Sequence, residues 1–226
     1  MNIVVLSGAG ISAESGIKTF RDADGLWEGH DVMEVASPEG WAANQALVLD
    51  FYNQRRRQLS EVEPNAAHFA LVELEQHHNV RIVTQNVDDL HERAGSKQVL
   101  HLHGELLKVR STVNSEDIQV WPGDLNEGDL CAGGHQLRPH IVWFGEAVPM
   151  LNEAAQLVSE AEILIIVGTS LQVYPAAGLI SAAPPSAKVY YIDPKPFISR
   201  ELSIREHQII TQPATTGMQE LMGILT

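Results

Sequence analysis

Four short stretches of this chain carry the side chains and bare backbone that could do chemistry. The first is Ser7-Gly8-Ala9-Gly10-Ile11-Ser12, directly after the apolar run Ile3-Val4-Val5-Leu6. A buried strand emptying into a Gly-x-Gly turn presents bare backbone N–H groups where a helix begins, which suits a phosphate or pyrophosphate. The second, Thr84-Gln85-Asn86-Val87-Asp88-Asp89-Leu90-His91, supplies amides and carboxylates. The third, His101-Leu102-His103-Gly104, supplies imidazoles that move protons near neutral pH. The fourth, Gly168-Thr169-Ser170-Leu171-Gln172-Val173-Tyr174-Pro175-Ala176, offers hydroxyls and N–H groups to a phosphate or ribose. Singly each has a plain structural explanation: Asn86, Asp88, Thr169 and Ser170 are residue types that cap helices, and His103 is one of 10 histidines. All four at predicted strand ends together point to one site.

The literal fingerprint Gly8-x-Gly10-x-x-Ala13 lacks the sequel of a dehydrogenase. There the helix runs on for several turns and a second strand ends in an acidic residue for the ribose. Here Gly16 breaks the helix after about one turn. Arg21-Asp22-Ala23-Asp24-Gly25 reads as loop, and no β-branched run precedes Asp31. The pattern argues against hydride transfer.

The elements that must position these clusters are near-continuous apolar strands alternating with helices. Strands are expected over 3–6, 81–84, 99–102, 162–167, 188–192 and 208–210, and helices over 66–76, 154–161 and 218–225. Such alternation indicates an α/β fold, a Rossmann-like parallel sheet with helices on both faces. Two segments break the rhythm: 23–61, without a strong strand and helical in its later half, and 105–140, polar and turn-rich. They are expected to form a smaller insertion module facing the sheet. The single catalytic domain would then have a Rossmann-like part at 1–22, 62–104 and 141–226, and a small module at 23–61 and 105–140.

The 226 residues suffice for one sizeable core, and 44% apolar with 19% charged residues is a globular composition. No apolar stretch approaches the roughly 18 residues that span a bilayer, and the start of the chain is a core strand rather than a leader. A cytoplasmic protein without a membrane partner is expected. A formal charge of -14 repels nucleic acid and suits basic, lysine-bearing surfaces. The single cysteine, Cys131, excludes a disulfide framework within the chain.

Taken in order, the motifs resemble those of the sirtuins, the NAD-dependent protein deacylase family. They are Gly8-Ala9-Gly10-Ile11-Ser12 with Ser15-Gly16-Ile17 and Phe20-Arg21, Thr84-Gln85-Asn86-Val87-Asp88, His103-Gly104, Val142-Trp143-Phe144-Gly145-Glu146, and Gly168-Thr169-Ser170-Leu171 through Pro175-Ala176. The resemblance covers nearly the whole chain. It implies NAD as cofactor, with the pyrophosphate on Gly8, Ala9, Gly10 and Ser12 and a mobile loop through Phe20 and Arg21, with Trp27, over the nicotinamide ribose. It also implies that Gln85, Asn86, Val87 and Asp88 reach the ribose and nicotinamide pocket. Gly168, Thr169 and Ser170 fall on the adenosine side, with Asp193 at the adenine ribose and Ala214 at the adenine. His103 matches the general base. In that chemistry the acyl-lysine oxygen displaces nicotinamide at C1′, and a histidine draws a proton through the ribose hydroxyls before hydrolysis to free lysine and O-acyl-ADP-ribose. Val142, Phe144, Gly145 and Glu146 match an extended segment on which the acylated-lysine peptide pairs as an added strand.

Acyl selection is expected at Tyr52 and Arg55, i and i+3 on a predicted helix and so on one face. A phenol beside a guanidinium receives a carboxylate well. Sirtuins of the desuccinylase type, class III, resemble this chain in that Tyr-x-x-Arg pair and in a small residue matched by Ala36. The plain alternative is a surface helix bearing Arg55, Arg56 and Arg57. Most members of the family hold zinc on two Cys-x-x-Cys pairs. Here Ser111 and Asn114 stand at the first pair and Cys131 and Gly134 at the second. Neither His135 nor His140 completes the set, so no metal is expected. The competing reading is an NAD-consuming ADP-ribosyltransferase or glycohydrolase; a non-catalytic NAD-sensing module is a third. Retention of both His103 and the Tyr52/Arg55 pair favours acyl-lysine.

Overall fold

The computed structural model describes residues 1–18 and 26–225; the expected cofactor contacts Phe20 and Arg21 lie outside the described residues. In chain order the strands among these residues are β1 Asn2–Ser7, β2 Leu26–Trp27, β3 His30–Asp31, β4 Asn79–Thr84, β5 Val99–His101, β6 Gly104–Ser111, β7 Ile118–Val120, β8 Leu137–Ile141, β9 Ile163–Val167, β10 Lys188–Ile192 and β11 His207–Ile210. The α-helices are α1 Val32–Val35, α2 Pro38–Ala43, α3 Gln45–Glu61, α4 Ala66–Leu74, α5 Leu90–Ala94, α6 Leu151–Ser159, α7 Arg200–Ser203 and α8 Ala214–Leu225. None of the described helices is long and apolar enough to cross a membrane.

Six strands form one parallel sheet in the order β11-β10-β9-β1-β4-β5. Side chains alternate across a strand, so each apolar strand feeds two cores. Ile3 and Val5 of β1 and Ile165 of β9 pack with Leu71 of α4 and Met218 and Leu221 of α8. Val4, Leu6, Leu164 and Ile166 pack on the other face with Val158 of α6 and Ile180 of the 3₁₀ segment Ala176–Ala182. Being covered on both sides is why these strands are apolar throughout. Successive connections leave β1 toward β4 and, later, toward β9 on its other side. The crevice lies where that order reverses, between the C-terminal ends of β1 and β9.

The second layer is a three-stranded antiparallel sheet, β7-β6-β8, against which α3 packs. The sequence reading assigns no strand to 105–140. Strand β6 hides its alternation because Lys108 and Arg110 sit half-buried among its apolar residues, and its pairing with β8 shifts register between Gly104 and Val109. The core of this layer is Leu49, Val109, Leu125, Leu137 and Cys131. The Cys131 thiol donates to the Ser111 hydroxyl at 3.5 Å, and the Gly134 N–H closes a turn on the Cys131 carbonyl at 2.8 Å. One thiol beside a hydroxyl and a glycine is no donor set for zinc.

Helix α3 starts at Asn44, whose side chain accepts from the Leu47 N–H at 3.0 Å. Its three consecutive arginines point three ways. Arg56 is buried and donates from Nε to the Leu106 carbonyl at 3.0 Å and from Nη1 to Asn53 Oδ1 at 2.9 Å, clamping α3 to β6. Arg57 pairs with Asp124 at the surface. Arg55 is left to face the crevice.

Candidate active site at the sheet crevice

A cleft of about 680 Å³ opens at the β1/β9 switch point and continues over α3. Its floor is set by backbone packed too closely for side chains. A Cβ on Gly10 would lie 2.7 Å from the Gly168 Cα, and one on Gly8 would lie 2.8 Å from the Thr169 Cβ. Gly168 holds φ +63, where a Cβ would meet the Ile11 nitrogen at 2.2 Å. The turn departs from the bare cradle expected of it. Gly8 N–H donates to the Val167 carbonyl, Gly10 N–H to Gly168, Ile11 N–H to Gly8 and Ser12 N–H to Ala9. Two short 3₁₀ turns, Ala9–Ile11 and Ala13–Ser15, replace an α-helix, and Gly16 ends them at φ +102. The Asn65 side chain, capping α4, anchors this turn by donating to the Ile11 carbonyl at 2.8 Å.

After β4 the chain turns sharply across the cleft. The Asn86 N–H donates to Thr84 Oγ1, which also accepts from the Ser7 hydroxyl, itself within 2.9 Å of His91 Nε2. With Ser7 donating to Thr84, His91 must donate to Ser7. The Asn86 amide N–H in turn donates to Ser12 Oγ at 3.1 Å, and Ser12 donates to Asp88 Oδ2 at 3.0 Å. Ser12, expected among the cofactor contacts, is therefore fully buried beneath Asn86 and Asp88 and orients them from below. Asp88 also accepts from the Leu90 N–H at 3.2 Å, so it ties down the start of α5 as well as lining the cleft. Burial pushes its carboxyl up to about 6, against the lowering effect of those two bonds. Gln85 bridges to the far side, donating to Thr169 Oγ1 at 2.9 Å, and Val87 lines the cleft beside it.

His103 stands in the same wall, with Nδ1 at 3.1 Å from the Gln85 carbonyl. A carbonyl only accepts, so Nδ1 carries the proton and Nε2 keeps its lone pair. Burial lowers the imidazole pKa below its usual value, partly opposed by the Gln85 bond. His101, two residues back, contacts the Asn86 carbonyl at 2.9 Å and Glu92 Oε1 at 2.8 Å. Both partners are acceptors, so both bonds together require the imidazolium. Burial works against that charge, but Glu92 and Asn86 outweigh it and raise the pKa.

At the opposite end, Tyr52 is fully buried and its hydroxyl accepts from the Trp143 indole N–H at 3.0 Å. Burial raises its pKa, leaving a neutral phenol with its own hydrogen to donate. Arg55 lies with its guanidinium over the Phe51 ring, 4.4 Å from the centroid, and its buried Nε and Nη1 have no hydrogen-bond partner among the described residues. Ala36 is buried at this end and Trp27 stands edge-on to Tyr52.

Residues 142–146 depart from the extended segment expected. Trp143–Glu146 is a turn closed by the Glu146 N–H on the Trp143 carbonyl at 3.0 Å, with Gly145 at φ +88. The Val142 N–H goes to the His103 carbonyl and the Phe144 N–H to the Ala36 carbonyl, which ties the turn to both ends of the cleft. The Glu146 carboxylate accepts from Arg138 at 2.7 Å, Arg110 at 3.3 Å and the Trp143 N–H at 2.8 Å. Trp143, unassigned in the sequence reading although inside its motif, is thus the hub of the turn.

The remaining expected contacts, Thr169, Ser170, Asp193 and Ala214, share the cleft beyond Gly168. Asp193 accepts from the Lys195 N–H at 2.8 Å. Glu14, which only the fold reveals, receives the Thr215 N–H and hydroxyl at 2.9 and 2.7 Å and fastens the glycine turn to α8.

Comparison with known proteins matches residues 8–175 to the Sir2 family model. The chain is 64% identical over 222 residues to an "NAD-dependent protein deacylase" of Helicobacter pylori (strain ATCC 700392 / 26695), covering 98% of this chain and 96% of that one. A protein of the same name from Bacteroides thetaiotaomicron is 50% identical over 230 residues, covering 99% and 97%. A solved "Sir2 homolog-NAD complex" superposes with a TM-score of 0.87 at 38% identity, covering 99% of this chain and 88% of that one. "Sir2 bound to acetylated peptide" superposes at 0.80 with 28% identity, covering 98% and 92%. The family model spans more than half of the chain, the relatives nearly all of it, and the crevice carries the motifs in order: this chain belongs to the Sir2 family.

Proposed function

We propose that this Sir2-family enzyme removes acyl groups from protein lysines with NAD, and that it reads a carboxylate at the far end of the acyl chain. The first half follows from family membership: relatives named NAD-dependent protein deacylase share its whole length. The donor set fits the dinucleotide. Asn86, Asp88 and Asp193 give ribose partners, Thr169 and Ser170 give hydroxyls, and all lie in one crevice. Bound NAD supplies the electrophilic ribose carbon and the nicotinamide leaving group. His103 Nε2, kept free by the Gln85 bond, takes the proton from the ribose hydroxyl side. Ser12 holds Asn86 and Asp88 in register. The Trp143–Glu146 turn, which exposes Phe144, receives the peptide. We take 1–22, 62–104 and 141–226 as the Rossmann-like part and the rest as the small module; the separate parallel and antiparallel sheets support this division.

The second half is carried by one observation: Arg55 faces the cleft with two buried, unspent N–H-bearing nitrogens beside the Tyr52 phenol. Buried guanidinium N–H groups without an acceptor are costly, and a substrate carboxylate meeting Nε and Nη1 removes that cost. Arg55→Met tests it with succinyl-lysine and acetyl-lysine peptides. Succinyl kcat/KM is expected to fall at least about 100-fold, as for loss of a charge-assisted bidentate contact, with acetyl activity retained. Equal loss of both would overturn the assignment.

A further inference from the structure

The cleft already contains a carboxylate directed at the acyl end. Glu28 sits at the tip of the β2–β3 hairpin with φ +51, followed by Gly29 at φ +84. This is a two-residue turn with both central residues left-handed, where Asn or Gly fits without strain and Glu does not. The turn aims the side chain inward. Glu28 is 13% exposed, and its Oε2 lies 3.2 Å from Lys18 Nζ and 4.0 Å from Arg55 Nη2. At 4.0 Å the contact is an ion pair without a hydrogen bond. Glu28 therefore offsets part of the Arg55 charge while leaving Nε and Nη1 unspent.

We propose that Glu28 is a built-in competitor for Arg55, a specificity-determining residue that moderates the enzyme's preference for acyl chains ending in a carboxylate. The proposal rests on the reading of Arg55 given above. An acyl carboxylate entering the pocket gains the two free donors but approaches a like charge, so Glu28 must swing toward Lys18 as it binds. A neutral acetyl group makes no such demand and leaves the Glu28–Arg55 pair standing. One pocket can then process both acyl classes, with the internal carboxylate setting their ratio.

The test measures kcat/KM for succinyl-lysine and acetyl-lysine peptides in wild type, Glu28→Gln, Glu28→Gly and Arg55→Met. Glycine suits the left-handed backbone, so that variant preserves the hairpin if glutamine does not. The succinyl-to-acetyl ratio is expected to rise about threefold to tenfold in both Glu28 variants, mainly through the succinyl KM, as befits one half-buried ion pair. An unchanged or lower ratio in Glu28→Gln and Glu28→Gly would overturn the proposal and make Glu28 a support for Arg55. If Arg55→Met leaves the ratio untouched, the carboxylate reading itself has failed. If Arg55→Met collapses the ratio while the Glu28 variants do not raise it, only the competitor has failed.

Discussion

The Trp143 indole N–H donates to the Tyr52 hydroxyl at 3.0 Å, while the same indole lies beneath the Arg138 guanidinium, 3.3 Å from its carbon to the ring centroid. The wall of the cleft at Tyr52 is thereby wired to the Arg110–Glu146–Arg138 cluster, because the Trp143 backbone N–H also ends on Glu146. Glu146→Gln should leave two half-buried guanidinium groups undercompensated. A loss of about 1–2 kcal/mol is expected after allowing for solvent screening. Calorimetry should show a Tm lower by roughly 2–8 °C, together with a raised KM for the acylated peptide.

Tyr52→Phe keeps the ring but removes both the acceptor for Trp143 and the phenol donor. The stranded indole N–H is expected to cost about 1–3 kcal/mol of stability. Succinyl kcat/KM should fall more than acetyl kcat/KM in the same steady-state assay.

Asp88 couples function to stability in opposite directions. Its folded-state pKa, about 6, lies above the ordinary carboxylate value. The folded chain therefore holds more protons than the unfolded one between about pH 4 and 6, and stability falls as pH rises through that window. At pH 7 the ionised, buried carboxylate is a burden of about 1–3 kcal/mol. Asp88→Asn keeps an acceptor for the Leu90 N–H, so Tm at pH 7 should rise by roughly 2–12 °C while turnover drops. A Tm gain equally large at pH 4 would contradict this.

His101 carries the reverse sign. Its folded pKa is raised, so the stability it contributes is complete below pH 6.5, the ordinary histidine value, and is lost as pH rises through the folded pKa. His101→Gln should lower Tm at pH 6 more than at pH 9. His103 has a lowered pKa, so the acid limb of kcat/KM should lie below pH 6.5 rather than above it.

The parallel sheet was legible because β1 and β9 are buried on both faces, which leaves uninterrupted apolar runs such as Ile163–Val167. The cleft residues were legible because the strand ends that hold them are short and chemically distinctive. Less was readable where pairing rather than composition decides. Strand β6 carries Lys108 and Arg110 within it, so its antiparallel partners appear only in three dimensions. The expected added-strand segment folds instead as a turn, because Gly145 takes a positive φ and Glu146 reaches back to the Trp143 N–H. The glycine turn spends the Gly8, Gly10, Ile11 and Ser12 N–H groups on Val167, Gly168 and itself, in keeping with a close Gly10–Gly168 approach that sequence spacing does not reveal. Glu28 and Glu14 act across more than 25 residues of chain, on Arg55 and Thr215, and no local pattern marks either.

Nicotinamide release from NAD, followed with succinyl-lysine peptide, acetyl-lysine peptide and no peptide, in wild type and His103→Ala, is the decisive assay. Release that depends on peptide, is strongest with succinyl-lysine and is lost in His103→Ala would establish a deacylase with a carboxylate-reading pocket. Release that proceeds without peptide would contradict it and assign the crevice to transfer of ADP-ribose to water or to another acceptor.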